Sequence, residues 1–196
     1  MANPQTNRPP SLSKPESFVG TQVGRYTVVR HLASGGMAEL FIAEITGVEG
    51  LAQVRQSPDQ PWVKAEVGMK ISESAEFRTG PRSSIRVLIQ PDQVFTLDRL
   101  GTVSLVEAIR DEKTITTDLA MKYGRVRLDV EVAGVEHRTV IRSPSSTLAV
   151  RGTKVSLYDQ QPFRAEAVSL TGRADFRAGK KQLAFGGRNQ GKTKVN

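Results

Sequence analysis

Close to its carboxyl end the chain carries Gly186-Gly187-Arg188-Asn189-Gln190-Gly191-Lys192-Thr193, which has the spacing of a phosphate-binding loop and follows the strand-like Gln182-Leu183-Ala184-Phe185. Such a loop works when backbone amides and the dipole of a helix starting at the lysine hold the phosphates. Only Val195 and Asn196 follow Lys194, so no such helix is expected. Gly186, Gly191, Lys192 and Thr193 are therefore read as part of a flexible basic tail. Other reactive groups are sparse. His31 and His137 are the two histidines, which rules out a histidine-rich metal site and leaves a Ser-His-Asp arrangement to be built on one isolated residue. Cysteine is absent, so disulfides, thiolate zinc sites and cysteine nucleophiles are excluded. Asp92, Asp98, Asp118 and Asp129 are dispersed among strand ends and turns. Asp92, in Gln90-Pro91-Asp92-Gln93, reads as a turn residue. No catalytic residue, metal ligand or cofactor is assigned.

A second glycine-rich pattern lies in residues 24 to 44. Apolar and polar residues alternate there as two strands around Ser34-Gly35-Gly36, a hairpin signature. The segment resembles the first two strands of a bacterial serine/threonine protein kinase, whose glycine-rich loop lies over the ATP phosphates. Gly35 stands at the middle glycine of that loop, with Ala33 and Ala38 at the outer two. The resemblance goes no further. After Glu44 the chain runs Ile45-Thr46-Gly47-Val48, with no Val-Ala-Ile-Lys strand, His137-Arg138-Thr139 replaces His-Arg-Asp, and Asp175-Phe176-Arg177 approximates Asp-Phe-Gly out of context. Phosphoryl transfer has no machinery here, so Gly35 and Gly36 are a kinase-like loop only. A fragment of a receptor kinase with vestigial ATP binding is the alternative this implies.

Charge is informative once located. The 196 residues carry a formal charge of +8. Beyond Asp175 stand Arg177, Lys180, Lys181, Arg188, Lys192 and Lys194 with no acid, so the remainder is close to neutral. A nucleic-acid groove needs a basic stripe interleaved with stacking aromatics, and only Phe176 and Phe185 stand near this cluster. No specific nucleic-acid partner is expected.

The elements that must position any site read as short strands separated by turns at Thr79-Gly80-Pro81, Gln90-Pro91-Asp92 and Ala133-Gly134. Val103, Leu105, Val106 and Ile109 allow a brief helical turn. Trp62 reads as a core or edge anchor. In Ser143 to Asp159, Leu148 and Val150 precede Arg151-Gly152-Thr153, and Val155 and Leu157 follow it, which predicts two strands bent at a bulge. Arg151 either pins that bend or lies free on the surface. The fold class is all-β, either a rolled or solenoid-like stack or a β-sandwich, with disordered termini. Open strand edges would let a partner add a strand.

In order along the chain, AQVRQ (52–56), WVKAEVGMKI (62–71), AEFRTGPRSSIRVLI (75–89), PDQVFTLDRLGTVSL (91–105), MKYGRVRLDV (121–130), HRTVIRSPSSTLAVRGTKVSL (137–157) and AEAVSLTGRADFR (165–177) resemble a FecR-like domain, the ferric-citrate regulator family. The resemblance favours the stack and implies structural motif positions at Gly68, Thr79, Gly80, Pro144, Arg151, Gly152 and Thr153. It also implies a non-catalytic sensing or regulatory module on the outer side of a bacterial inner membrane, working through protein contacts and often linked to an alternative sigma factor. Envelope scaffolding or glycan binding is a further alternative; a small-molecule ligand stays open. The division expected is a Pro/Ser-rich disordered leader (1–22), a kinase-like fragment (23–45), the FecR-like domain (46–178) and a basic flexible tail (179–196). The leader lacks the apolar block of a secretory signal, and no run is long and apolar enough for a membrane helix. On sequence features alone the chain would stay in the cytoplasm, whereas the family implies a periplasmic place.

Overall fold

β-branched residues on a two-residue period favour strands. In a computed structural model of the chain, every regular element among the described residues is one. The structure describes residues 22–23, 26–27, 43–89, 92–110, 114–130, 136–186 and 191–194. Two compact units divide at Ala38 and Glu39. In the first, β1 (Gln22–Val23) and β2 (Tyr26–Thr27) pair antiparallel, with Val23 opposite Tyr26. His31, Gly35 and Gly36 lie outside the described residues.

The second unit opens with β3 (Ala43–Glu49), β4 (Ala52–Arg55), β5 (Val63–Lys64), β6 (Lys70–Ile71), β7 (Glu76–Thr79), β8 (Ser84–Ile89), β9 (Gln93–Leu97) and β10 (Thr102–Arg110). It continues through β11 (Thr114–Val130), β12 (Glu136–Arg142), β13 (Ser146–Asp159), β14 (Glu166–Ala178), β15 (Lys181–Gly186) and β16 (Gly191–Lys194). Ala43 and Ile45, expected in a kinase-like strand, are buried in β3 and pair with β8 and β6. The expected helical turn is also corrected. Leu105 pairs with Leu119 and Glu107 with Asp118, leaving exposed Val106 as the extra residue of a β-bulge. That insertion shifts the apolar phase, which is why the spacing imitates a helix.

Two long strands hold the architecture together. The amino-terminal part of β11 lies between β10 and parallel β12, and its carboxyl-terminal part lies between β9 and β13. Burial changes phase at Lys122 and Tyr123, from Ile115, Thr117, Leu119 and Met121 to Gly124, Val126, Leu128 and Val130. Gly124 adopts φ 114°. A Cβ there would stand 2.6 Å from the Gly101 Cα and 3.3 Å from the Leu100 carbonyl oxygen, so this crossing of backbones requires glycine.

β13 repeats the device. Thr147 to Arg151 pair with β12, and Lys154 to Gly124's partner Asp159 pair with β11. The change of partner falls at Gly152-Thr153, where the register against β14 also shifts. The predicted bend is thus present, within one continuous strand. Bent strands roll the sheet into a small barrel around Phe77, Phe95, Phe176 and aliphatic residues, with Phe77 edge-on to Phe95 at 5.4 Å.

Residues expected as a tail also form strands. β15 pairs with Arg173 to Ala178 of β14, and β16 pairs with Glu166 to Ser169. Together they cover one edge of β14, whose amides and carbonyls would otherwise stand open.

Candidate functional site

Five strands show how alternation separates core from surface. Ile85, Val87, Phe95, Leu97, Val126, Leu128, Val155, Leu157 and Ala167 are buried. Residues of opposite phase on β8, β9, β11, β13 and β14 line a groove of about 620 Å³. Its basic side chains are Arg86, Arg125, Arg127 and Lys154, and Tyr158 stands among them. Register fixes their spacing: Arg86 is opposite Thr96, which is opposite Arg127, which is opposite Ser156. Arg125 is opposite Tyr158, which is opposite Glu166.

The groove's charges fall into two kinds. Arg127 Nη2 lies 2.6 Å from Asp98 Oδ1, and Lys154 Nζ lies 2.9 Å from Asp129 Oδ2. Arg125 stacks over the Tyr158 ring at 5.2 Å. Among the described residues, neither Arg86 nor Arg125 meets a carboxylate within ion-pair distance. A second cavity of about 580 Å³ shares Arg125, Arg127 and Tyr158 and continues to Leu100 and Phe163. Both apolar residues are exposed, Phe163 by 64%. This combination offers point charges for anionic groups beside an apolar patch.

The histidine expectation resolves differently. His137 is buried, with Nε2 3.3 Å from Asp92 Oδ1. Asp92, read as a turn residue, is a turn residue that also borders the groove. Behind it Gln93, Thr117 and Thr139 form a buried hydrogen-bonded chain, Thr117 donating to Gln93 at 2.6 Å and Gln93 donating to Thr139. Among the described residues no three His, Cys, Asp or Glu cluster as a metal site.

Of the phosphate-loop pattern, residues 187–190 lie outside the described residues, and Lys192 stands in a strand, not at the start of a helix. Gly186 ends β15, and Gly191, Lys192 and Thr193 lie in β16, with Lys192 opposite Val168. Successive amides of a strand diverge to opposite edges, so they do not converge on one phosphate.

The motif positions are spread over the fold. Gly68, at φ 89°, donates its amide to the Ile45 carbonyl at 2.8 Å. Thr79 Oγ1 donates to the Asp98 carbonyl at 2.6 Å and accepts from the Gly101 amide at 3.1 Å. Gly80 donates to the Leu51 carbonyl at 2.8 Å and accepts from the Leu100 amide at 3.2 Å. Pro144 is exposed in the turn where the Ser143 amide donates to the Ser146 carbonyl at 2.8 Å. Arg151 is exposed beside Gly152 and Thr153 at the change of partner.

The sequence reading missed the groove. Ile85-Arg86-Val87 and Arg125-Val126-Arg127 place cations on the outward phase of strands, a visible signal. What brings those segments together is pairing through β9, which no local pattern announces.

Residues 75–175 match the family described as FecR protein, a span running from the start of β7 into β14. No curated protein matches the chain. Two crystal structures of a candidate anti-sigma factor from Parabacteroides distasonis are similar at 13% and 14% identity, with TM-scores of 0.44 and 0.47. Each alignment covers 62% of this chain and 59% of the other. Among the described residues no helix is long and apolar enough to cross a membrane.

Proposed function

The chain belongs to the FecR protein family, and from that premise we propose that it is a non-catalytic regulatory module acting through protein contacts outside the cytoplasm, in sigma-factor-linked signal transduction. The family match carries the reading, because it covers the strands that form both the bent barrel and the floor of the groove. The chemistry is consistent with it. Paired and unpaired cations beside exposed Leu100 and Phe163 suit recognition, where charge steers encounter and apolar anchors hold the partner. The edge strands β5 and β15 offer main-chain donors and acceptors for strand addition. The motif positions Gly68, Thr79, Gly80, Pro144, Arg151, Gly152 and Thr153 act as shape-defining residues in this reading.

Removal of residues 75–175 from the gene in its own cell tests the regulatory role. The expected result is a coordinated change in transcripts that share one promoter type. An unchanged transcript profile, with the intact protein shown to be present in the parent strain, would sink the reading. Alkaline phosphatase fused to the carboxyl end reports location, since it is active only outside the cytoplasm; activity is expected. Saturable ATP binding lost on Gly35→Val would instead favour a vestigial kinase.

A further inference from the structure

The groove on β8, β9, β11, β13 and β14 has a charge pattern that specifies its occupant more closely than its volume does. Arg125 and Arg127 lie two residues apart on one strand, a spacing of about 6.5–7 Å. Carboxylates two residues apart in an extended peptide repeat at the same distance. Arg86 lies in the row of Arg127, two strands away, or about 10 Å across the sheet.

The floor is not uniformly basic. Asp92, Asp129 and Glu166 interrupt it, with Glu49 and Asp98 in the adjoining cavity, and each would repel a polymer that carries one negative charge per repeat. A peptide can place neutral or basic side chains over those acids and carboxylates over the arginines. Existing pairs are no obstacle, because Arg127 and Lys154 are 58% and 54% exposed and solvent screens such surface pairs. At one end, exposed Leu100 and Phe163 supply an apolar anchor point.

We propose that this groove binds an extended acidic segment of a partner protein, with carboxylates two residues apart against Arg125 and Arg127 and an apolar side chain against Leu100 and Phe163. The proposal rests on the reading of the chain as a protein-contact module and names the chemistry of the partner.

Fluorescence anisotropy on the whole chain tests it, with a labelled peptide as the probe that carries two Glu residues two positions apart among Ser residues and ends in Phe. Saturable binding is expected. Arg125→Glu combined with Arg127→Glu weakens it about tenfold or more, whereas Lys180→Glu combined with Lys181→Glu, outside the groove, changes it less than about twofold. Arg86→Glu on a separate strand gives the same loss as an independent check, should the double variant fold poorly. Equal losses from both double variants would assign the affinity to general basic charge and overturn the proposal. So would equally tight binding of labelled oligothymidylate or oligogalacturonate, or no binding of the peptide. The two readings fail separately: an unbound peptide with an intact transcript response removes the groove assignment alone, and a bound peptide with an unchanged transcript profile removes the signalling role alone.

Discussion

Ser145 Oγ donates a hydrogen bond to Asp159 Oδ2 across 2.6 Å, although the two residues are 14 positions apart and β13 occupies the whole stretch after Ser145. Fully extended, that length of chain would span about 45 Å. The bend at Gly152-Thr153 returns β13 on itself, and the carboxylate of Asp159 joins its two ends. Ser143 Oγ and the Ser145 amide donate to the same oxygen.

Asp159 is 5% exposed, so removing its carboxylate leaves several donors without their acceptor. Asp159→Ala should destabilise the fold by about 2–4 kcal/mol. Urea unfolding measures it, and Asp159→Asn should recover part of the loss. An effect under about 0.5 kcal/mol would show that the closure is incidental.

Gly124→Ala combines a positive φ with a backbone clash against Gly101, and neither can be relieved by moving a side chain. A loss of about 2–4 kcal/mol is expected, seen as a lower thermal midpoint. Gly68→Ala isolates the φ component, since a Cβ at Gly68 meets nothing within 4 Å. It should cost about 1 kcal/mol.

Thr79 joins the Asp98 carbonyl to the Gly101 amide through one buried hydroxyl. Thr79→Val preserves shape and strand propensity but breaks both links, and should cost about 1–3 kcal/mol. Thr79→Ser should retain most of the stability. A loss in Thr79→Ser with none in Thr79→Val would assign the position to methyl packing instead.

Glu76 gives the fold an acid-sensitive contact. Burial alone would raise its pKa, but hydrogen bonds from Arg55, Lys122 and Ser104, with the charge of Lys122, outweigh burial and hold it below the ordinary carboxylate range. The unfolded chain therefore takes up this proton at a higher pH than the folded one. The contribution is fully present above the unfolded value of about 4.3 and is lost as pH falls through the lowered folded value. Denaturation across that window should show a steeper loss of stability in the parent chain than in Glu76→Gln. Parallel curves would remove Glu76 as the source.

Much of the domain was legible from local pattern. The all-β class followed from alternation, and the bend in β13 followed from Gly152 between two apolar pairs, because a glycine within a strand signals a local break in pairing. Val106 misled for the same reason: a single inserted residue shifts the apolar phase and produces a helix-like spacing. The phosphate-loop spacing at Lys192 was set aside for want of a following helix; such a spacing says nothing about whether the backbone is curled or extended, and Lys192 lies in a strand.

The sequence by itself determined the strand class, the turn at Asp92, the position of the bend and the absence of thiol chemistry, all of which depend on residues near one another or on composition. Tertiary structure alone decided that Ser145 meets Asp159, that His137 meets Asp92, and that Arg86 joins Arg125 and Arg127 on one surface. Strand pairing connects segments tens of residues apart, and its register depends on bulges and bends summed along the whole path. No short window of sequence contains that information.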